Sequence, residues 1–237
     1  MAKMTLELLV SQLQLAYGGA LRSVVLYGSA AREGAPPERN LNVLVVVDHL
    51  SMELLARQAA IAAAWTEAGN PPLLTMTTDE WRGSADVFPI EYADLLDAHR
   101  VIHGTLPLEG VTVTKADLRL HLEHEAMGKL LRLRRGILAA GTEPARQLDL
   151  LAESVPAFIV LFRALLRVHG DPLPADVEGV CAAAALRAGF EGESFARALK
   201  HARGGERIPA VEAGSVLAAY LAGATQLAHH IDRLGVT

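Results

Sequence analysis

The chain contains a single cysteine, Cys181, among 237 residues. No disulfide can form within it, and a cysteine-based zinc site is not expected from the same count. Cys181 precedes a run of alanines, where a small buried residue is expected. Excess positive charge is also missing. The net charge is -5 with histidine neutral, so no whole-chain basic surface advertises nucleic acid, although a local basic face is compatible with it. Long apolar runs are absent too: Val155 to Phe162 is interrupted by Arg163, far short of the ~18 residues of a membrane span. Met1 to Val10 lacks a charged start followed by an unbroken apolar stretch, so no signal peptide is expected. These absences point to a cytoplasmic protein with no membrane partner.

What is present is a strongly apolar composition, 51% by residue, enough for a real core and contrary to disorder. The pattern changes near Leu106. Before it, short β-branched runs alternate with helical stretches, and after it nearly everything reads as helix. Pro107 and Gly110 mark the join, which predicts domains over 1–106 and 107–237. In the first, Thr5 to Leu15 predicts a helix. Ser23 to Tyr27 predicts a strand, and Leu41 to Val47 a second whose near-continuous apolar run suits burial on both faces. Ser51 predicts an N-cap for an Ala-rich helix to Glu67. Leu73 to Met76 predicts a third strand, Thr78 or Asp79 the cap of a short helix holding Trp81, and Pro89 to Tyr92 a short fourth strand. The second domain predicts helices over 115–139, 145–168, 175–188, 194–202 and 209–234, an up-and-down bundle.

The most informative segment is Leu26-Tyr27-Gly28-Ser29, then ten residues, then Asn40-Leu41-Asn42-Val43-Leu44-Val45-Val46. It resembles the nucleotidyltransferase superfamily, which includes minimal and antibiotic nucleotidyltransferases and polymerase-β-like enzymes. The superfamily pattern is a strand, Gly-Ser, a loop of about ten residues, and Asp-x-Asp opening a second apolar strand. Ser84 to Tyr92, His121 to Glu125 and Lys129 to Arg134 are similar to a bacterial group of predicted nucleotidyltransferases with a helical C-terminal domain, so the resemblance spans most of the chain. It implies an α/β (α+β) N-terminal domain with a small mixed sheet, followed by an all-α helical bundle, with a nucleoside triphosphate held in the cleft between them.

The chemistry such a site needs is specific. Gly28 has no Cβ, so its backbone can approach a phosphate closely, and Ser29 offers a hydroxyl donor to a phosphate oxygen. Two carboxylates at spacing two on a strand share a face and can hold two divalent ions that clamp the attacking and leaving oxygens. Here the pattern breaks. Asn40 and Asn42 stand at the metal positions, and magnesium favours hard carboxylate oxygens over neutral amides. Asp48 lies six residues beyond Asn42, ~20 Å along a strand, and cannot substitute. Two-metal catalysis is therefore expected to be absent or severely weakened, with Mg²⁺ accompanying nucleotide at most.

The resemblance also implies a third carboxylate, a metal ligand or base, on a later neighbouring strand. Glu91 is the candidate and Asp86 the second choice, and an exposed acid at a strand edge is the alternative reading. On the long predicted helix, Lys129 and Arg132 are candidate phosphate-binding cations, against the alternative of a solvated charged face paired through Glu125 and Lys129. His121, His124 and Glu125 share a helix face and offer a weaker metal alternative. Arg163 to His169 loosely resembles the Arg-x-(four to six)-His motif of HEPN ribonucleases, with Ala164 where that family has a polar residue. The reading is a nucleotidyltransferase homologue with a degenerate metal site and weak or no transfer to an unidentified acceptor hydroxyl. The alternatives are a non-catalytic nucleotide-sensing or antitoxin-like interaction protein, and an RNA-cleaving helical domain using Arg163 and His169. A homodimer or a protein partner fits each of them.

Overall fold

The computed structural model describes residues 4–31 and 41–235. It divides into two compact units, Met1–Val113 and Thr114–Thr237, each with its own core.

The first unit opens with helix α1 (Leu6–Tyr17), capped by the Thr5 hydroxyl accepting from the Leu8 N–H at 3.2 Å. Strands β1 (Leu21–Tyr27) and β2 (Asn42–Val47) follow. They pair antiparallel, with Tyr27 opposite Asn42 and Val25 opposite Leu44. Val43 to Val47 are fully buried, as expected for a run apolar on both faces. Helix α2 (Met52–Glu67) begins at Ser51, whose hydroxyl accepts from the Leu54 N–H at 3.2 Å. It carries the chain across to β3 (Leu74–Thr77), which pairs parallel with β2. The sheet order is β3-β2-β1-β4, mixed in direction. Its two faces feed two apolar clusters, one built on Leu9, Leu13 and Trp65, the other on Trp81, Tyr92 and Leu95.

Two expectations are corrected here. The cap of helix α3 (Thr78–Gly83) is Thr77, not Thr78 or Asp79. It forms a capping box in which the Glu80 N–H donates to Thr77 Oγ1 at 3.2 Å and the Thr77 N–H to Glu80 Oε2 at 2.7 Å. Pro89 to Tyr92 is not a strand but the first turn of helix α4 (Pro89–Asp97). Proline suits the first helical position because its missing N–H would have had no intrahelical partner there. The helix is held by Tyr92, whose ring stacks on Trp81 at 4.5 Å and whose hydroxyl donates to the Trp81 carbonyl at 2.7 Å. The fourth strand comes later, as β4 (His99–Gly104), pairing antiparallel with β1. Gly104 has φ +72°, and a Cβ there would stand 1.9 Å from the Arg22 carbonyl oxygen. No other residue fits that position unless the β1 backbone moves.

The second unit comprises α5 (Lys115–Ala140), α6 (Pro144–His169), α7 (Val177–Ala188), α8 (Glu193–Ala202) and α9 (Ala213–Asp232). Helix α5 lays Leu118, Leu122, Ala126, Leu130 and Leu133 on one face, the three- and four-residue spacing of a core stripe. Further in, Phe158, Phe162, Phe190, Phe195 and Tyr220 form an aromatic cluster with centroid separations of 4.1–5.6 Å. Cys181 is buried beside it at 2% exposure, and burial pushes its thiol up to about 11. No helix among the described residues is long and apolar enough to cross a membrane.

Candidate functional site

The C-terminal end of β1 gathers the residues that carry the sequence motif. Tyr27 closes the strand, with Asn42 opposite it on one side and His99 on the other. Gly28 follows with φ +77°, a left-handed conformation that glycine adopts without strain. Its N–H donates to the Ala98 carbonyl at 2.9 Å. A methyl placed on Gly28 would stand 3.4 Å from Asn42 Nδ2, so the glycine backbone and the Asn42 amide adjoin. Ser29 continues from Gly28 into a 3-10 turn, Gly28–Ala31. Asn40 lies outside the described residues.

Glu91 belongs to the first turn of α4, and its carboxylate is exposed. It reaches this end of the sheet electrostatically: the Tyr27 phenol is raised above its ordinary value, first by burial and then by the negative charge of Glu91. Asp86 is exposed in the turn before α4. Glu91 therefore comes near the motif from a helix, not from the neighbouring strand on which a third carboxylate was expected. The strand beside β2 is β3, and Leu74, Thr75, Met76 and Thr77 supply no carboxylate. Among the described residues, no group of three or more His, Cys, Asp or Glu is placed to hold a metal ion. The residues present do not fit a pair of divalent ions: a neutral amide at position 42 contributes no charge, and magnesium sheds its water reluctantly for such a ligand.

Asp48 stands at the far end of β2. Arg22 clamps it through both carboxylate oxygens, Nη2 reaching Oδ2 at 2.5 Å, and holds it below the usual carboxylate range. Two residues at the motif end escape sequence reasoning. Asn70 accepts from the Leu41 N–H at 3.2 Å and so fixes the entry to β2. His99 stands beside Tyr27 with Nδ1 3.1 Å from the Leu95 carbonyl. Neither carries a local sequence signal, because each is brought there by tertiary pairing.

In the helical unit, Lys129 and Arg132 line one pocket between α5 and α6, of about 260 Å³, shared with Glu153 and Ser154. Lys129 pairs with Glu125 along the helix and holds that carboxyl below its ordinary value. Glu125 is thereby committed to a cation, not to a metal site with His121 and His124. Arg163 and His169 both lie on α6, and His169 Nε2 meets His230 Nε2 at 3.1 Å. Both imidazoles are depressed below the ordinary histidine value, by burial first and then by Arg187. The sign follows from linkage. The unfolded chain takes up protons as pH falls below about 6.5, the folded chain only at lower pH, so stability is retained above about 6.5 and lost below it. The expected result is a melting temperature lower by a few degrees at pH 5 than at pH 7.5, with a shallower slope in His230→Gln. An unchanged slope in that variant would place the pH response elsewhere.

No protein-family model matches the chain, and no curated protein does. Among the solved structures that match is spectinomycin adenyltransferase AAD(9) from Enterococcus faecialis with ATP and spectinomycin, over 95% of this chain and 97% of its own, at a TM-score of 0.57 and 14% sequence identity. The fold of this chain is nucleotidyltransferase-like.

Proposed function

We propose that this chain binds a nucleoside triphosphate at the Gly28–Ser29 end of β1 and that nucleotidyl transfer from it is weak or lost. The observation that carries the reading is the Asn42 amide set directly against Gly28. The glycine leaves room for a phosphate oxygen to reach backbone amides, while the side chain beside it is neutral and β3 supplies no carboxylate. The AAD(9) structure holds ATP, and a nucleoside triphosphate is the corresponding ligand proposed for this chain. Any magnesium would arrive with the nucleotide's own phosphates. Should transfer persist, it would move a nucleoside monophosphate to an acceptor hydroxyl with pyrophosphate leaving, and Glu91 is the carboxylate proposed to serve as base. Lys129 and Arg132 are the proposed phosphate-binding cations of the helical unit.

Calorimetric titration with the four ribonucleoside triphosphates tests this. Wild type is expected to bind at least one of them and to release little or no pyrophosphate. Gly28→Ala should weaken binding about tenfold, or about 1.4 kcal/mol, since a side chain at this positive φ is strained and the methyl takes space left for a phosphate oxygen. Lys129→Glu should weaken it by a comparable factor and reduce its salt dependence. Absence of binding to all four would overturn the proposal. Equal affinity in Lys129→Glu would return that residue to a solvated helix face. Rapid pyrophosphate release by wild type would refute the loss of transfer.

A further inference from the structure

Helix α5 has two apolar faces. One is the core stripe through Leu118 and Leu122. The other points away from the core: Leu120 is 65% exposed, Met127 46%, Leu131 44% and Leu138 83%. Large apolar side chains grouped on one exposed helix face mark an interaction surface. Their positions, with His124 and Arg134 between them, step by four, three, four, three and four residues. That is the heptad seam of a helix that packs along a second helix at a shallow angle of roughly 20°. Four of the six seam positions, Leu120, His124, Met127 and Leu131, line an open groove of about 490 Å³ between α5 and α9, which also holds Glu123 and Asp232.

The sequence of the seam selects its occupant. Reversed about position 129, apolar falls on apolar and polar on polar: Leu120 on Leu138, Met127 on Leu131, and His124 on Arg134. A two-fold interface requires such self-complementarity, because the same patch must serve both partners. Charge agrees. The first half of α5 carries Asp117, Glu123 and Glu125 with Lys115 and Arg119, and the second half Lys129, Arg132, Arg134 and Arg135 with no carboxylate. Parallel pairing would set four cations against four, whereas antiparallel pairing sets the cationic half against the acid-bearing one. We infer that α5 pairs antiparallel with α5 of a second copy of this chain, through Leu120, Met127, Leu131 and Leu138. The layers are then Leu120 on Leu138 at each end and Met127 on Leu131 at the centre, with His124 and Arg134 as the polar layer that sets register.

Light scattering after size exclusion, on the full chain, tests the pairing. Wild type is expected at twice the chain mass, and Leu131→Glu at the chain mass, its dissociation constant raised roughly hundredfold by a buried unpaired charge at the centre. Circular dichroism should be unchanged, because position 131 faces away from the core. Orientation is read separately. On oxidation, Leu120→Cys/Leu138→Cys should give a covalent dimer, while Leu131→Cys alone should not, since its partner position is Met127. A wild type that is monomeric at every concentration, or a Leu131→Glu protein that stays dimeric, would overturn the inference. Efficient self-linking of Leu131→Cys would overturn its antiparallel form.

Discussion

Changing Asn40 and Asn42 together to aspartate is expected to give the chain a magnesium-dependent rise in melting temperature and nucleotidyl transfer at least about 10²-fold faster than in the unchanged protein. The two positions have the Asp-x-Asp spacing of the superfamily pattern, and Asn42 already stands against Gly28 at that end of the sheet. Aspartate is nearly isosteric with asparagine, so the backbone need not move. What changes is charge: two anionic oxygen donors replace two amides, and hard divalent ions gain the ligands they favour. Without the ion, two adjacent carboxylates repel and the variant should melt below wild type. With magnesium at a hundredfold excess over its dissociation constant, linkage returns about 2.7 kcal/mol, or roughly 5–10 °C for a chain of this size. Glu91→Gln in the restored background should abolish the gain in transfer while leaving most of the magnesium stabilisation. Melting curves with and without magnesium, beside a pyrophosphate assay, separate these effects. A restored protein that magnesium does not stabilise would show that positions 40 and 42 are not the metal positions.

A second substitution should be felt through packing alone. Phe195→Ala is expected to destabilise the helical unit by about 3–5 kcal/mol. The Phe195 ring is fully buried and lies 4.1 Å from the Tyr220 ring and 5.1–5.5 Å from those of Phe158, Phe162 and Phe190. It is the only aromatic residue on α8, a helix of ten residues that depends on it, with Ala198 and Leu199, for attachment. Its surroundings cannot easily close over the gap, because four rigid rings frame it and α9 already approaches closely at Gly223. A methyl there would meet Phe195 Cε2 at 2.7 Å. Chemical denaturation of Phe195→Ala beside Leu186→Ala, an 87%-exposed site on α7, gives the contrast, with the second expected within about 0.5 kcal/mol of wild type. A loss below about 1.5 kcal/mol for Phe195→Ala would mean that the cluster collapses after all.

How far the sequence could be read depends on whether a feature is local. β1 and β2 are legible because buried β-branched runs end at turn residues. The cap of α2 is legible because Ser51 satisfies a backbone donor only three residues away. Pro89 to Tyr92 misled, since a proline followed by isoleucine and tyrosine suits a strand entrance, yet it suits a first helical turn equally well. Only the stacking of Tyr92 on Trp81 decides between them. β4 gave no signal: His99-Arg100-Val101-Ile102-His103 is a half-exposed edge without alternation. In the site, the meeting of Gly28 with Asn42 was implicit in the motif spacing. Glu91 acts on Tyr27 from a helix and not from the strand on which a carboxylate was expected. His99 and Asn70 could not be found, because strand pairing and a loop contact place them. On α5 the charges drew attention, and the apolar seam between them emerges only once burial shows which leucines the core leaves out.

Gly104 has a bearing on how the sheet finds its pairing. An edge strand with little apolar character has few side chains to tell one alignment from the next, and β4 is such a strand. The Arg22 carbonyl supplies the discrimination, since only a residue without a side chain can lie against it. If β4 slid one step along β1, His103 or Thr105 would take that place and a Cβ would collide with the backbone. The strand is thus held in alignment by an atom it lacks, and misaligned pairings are rejected at its last residue.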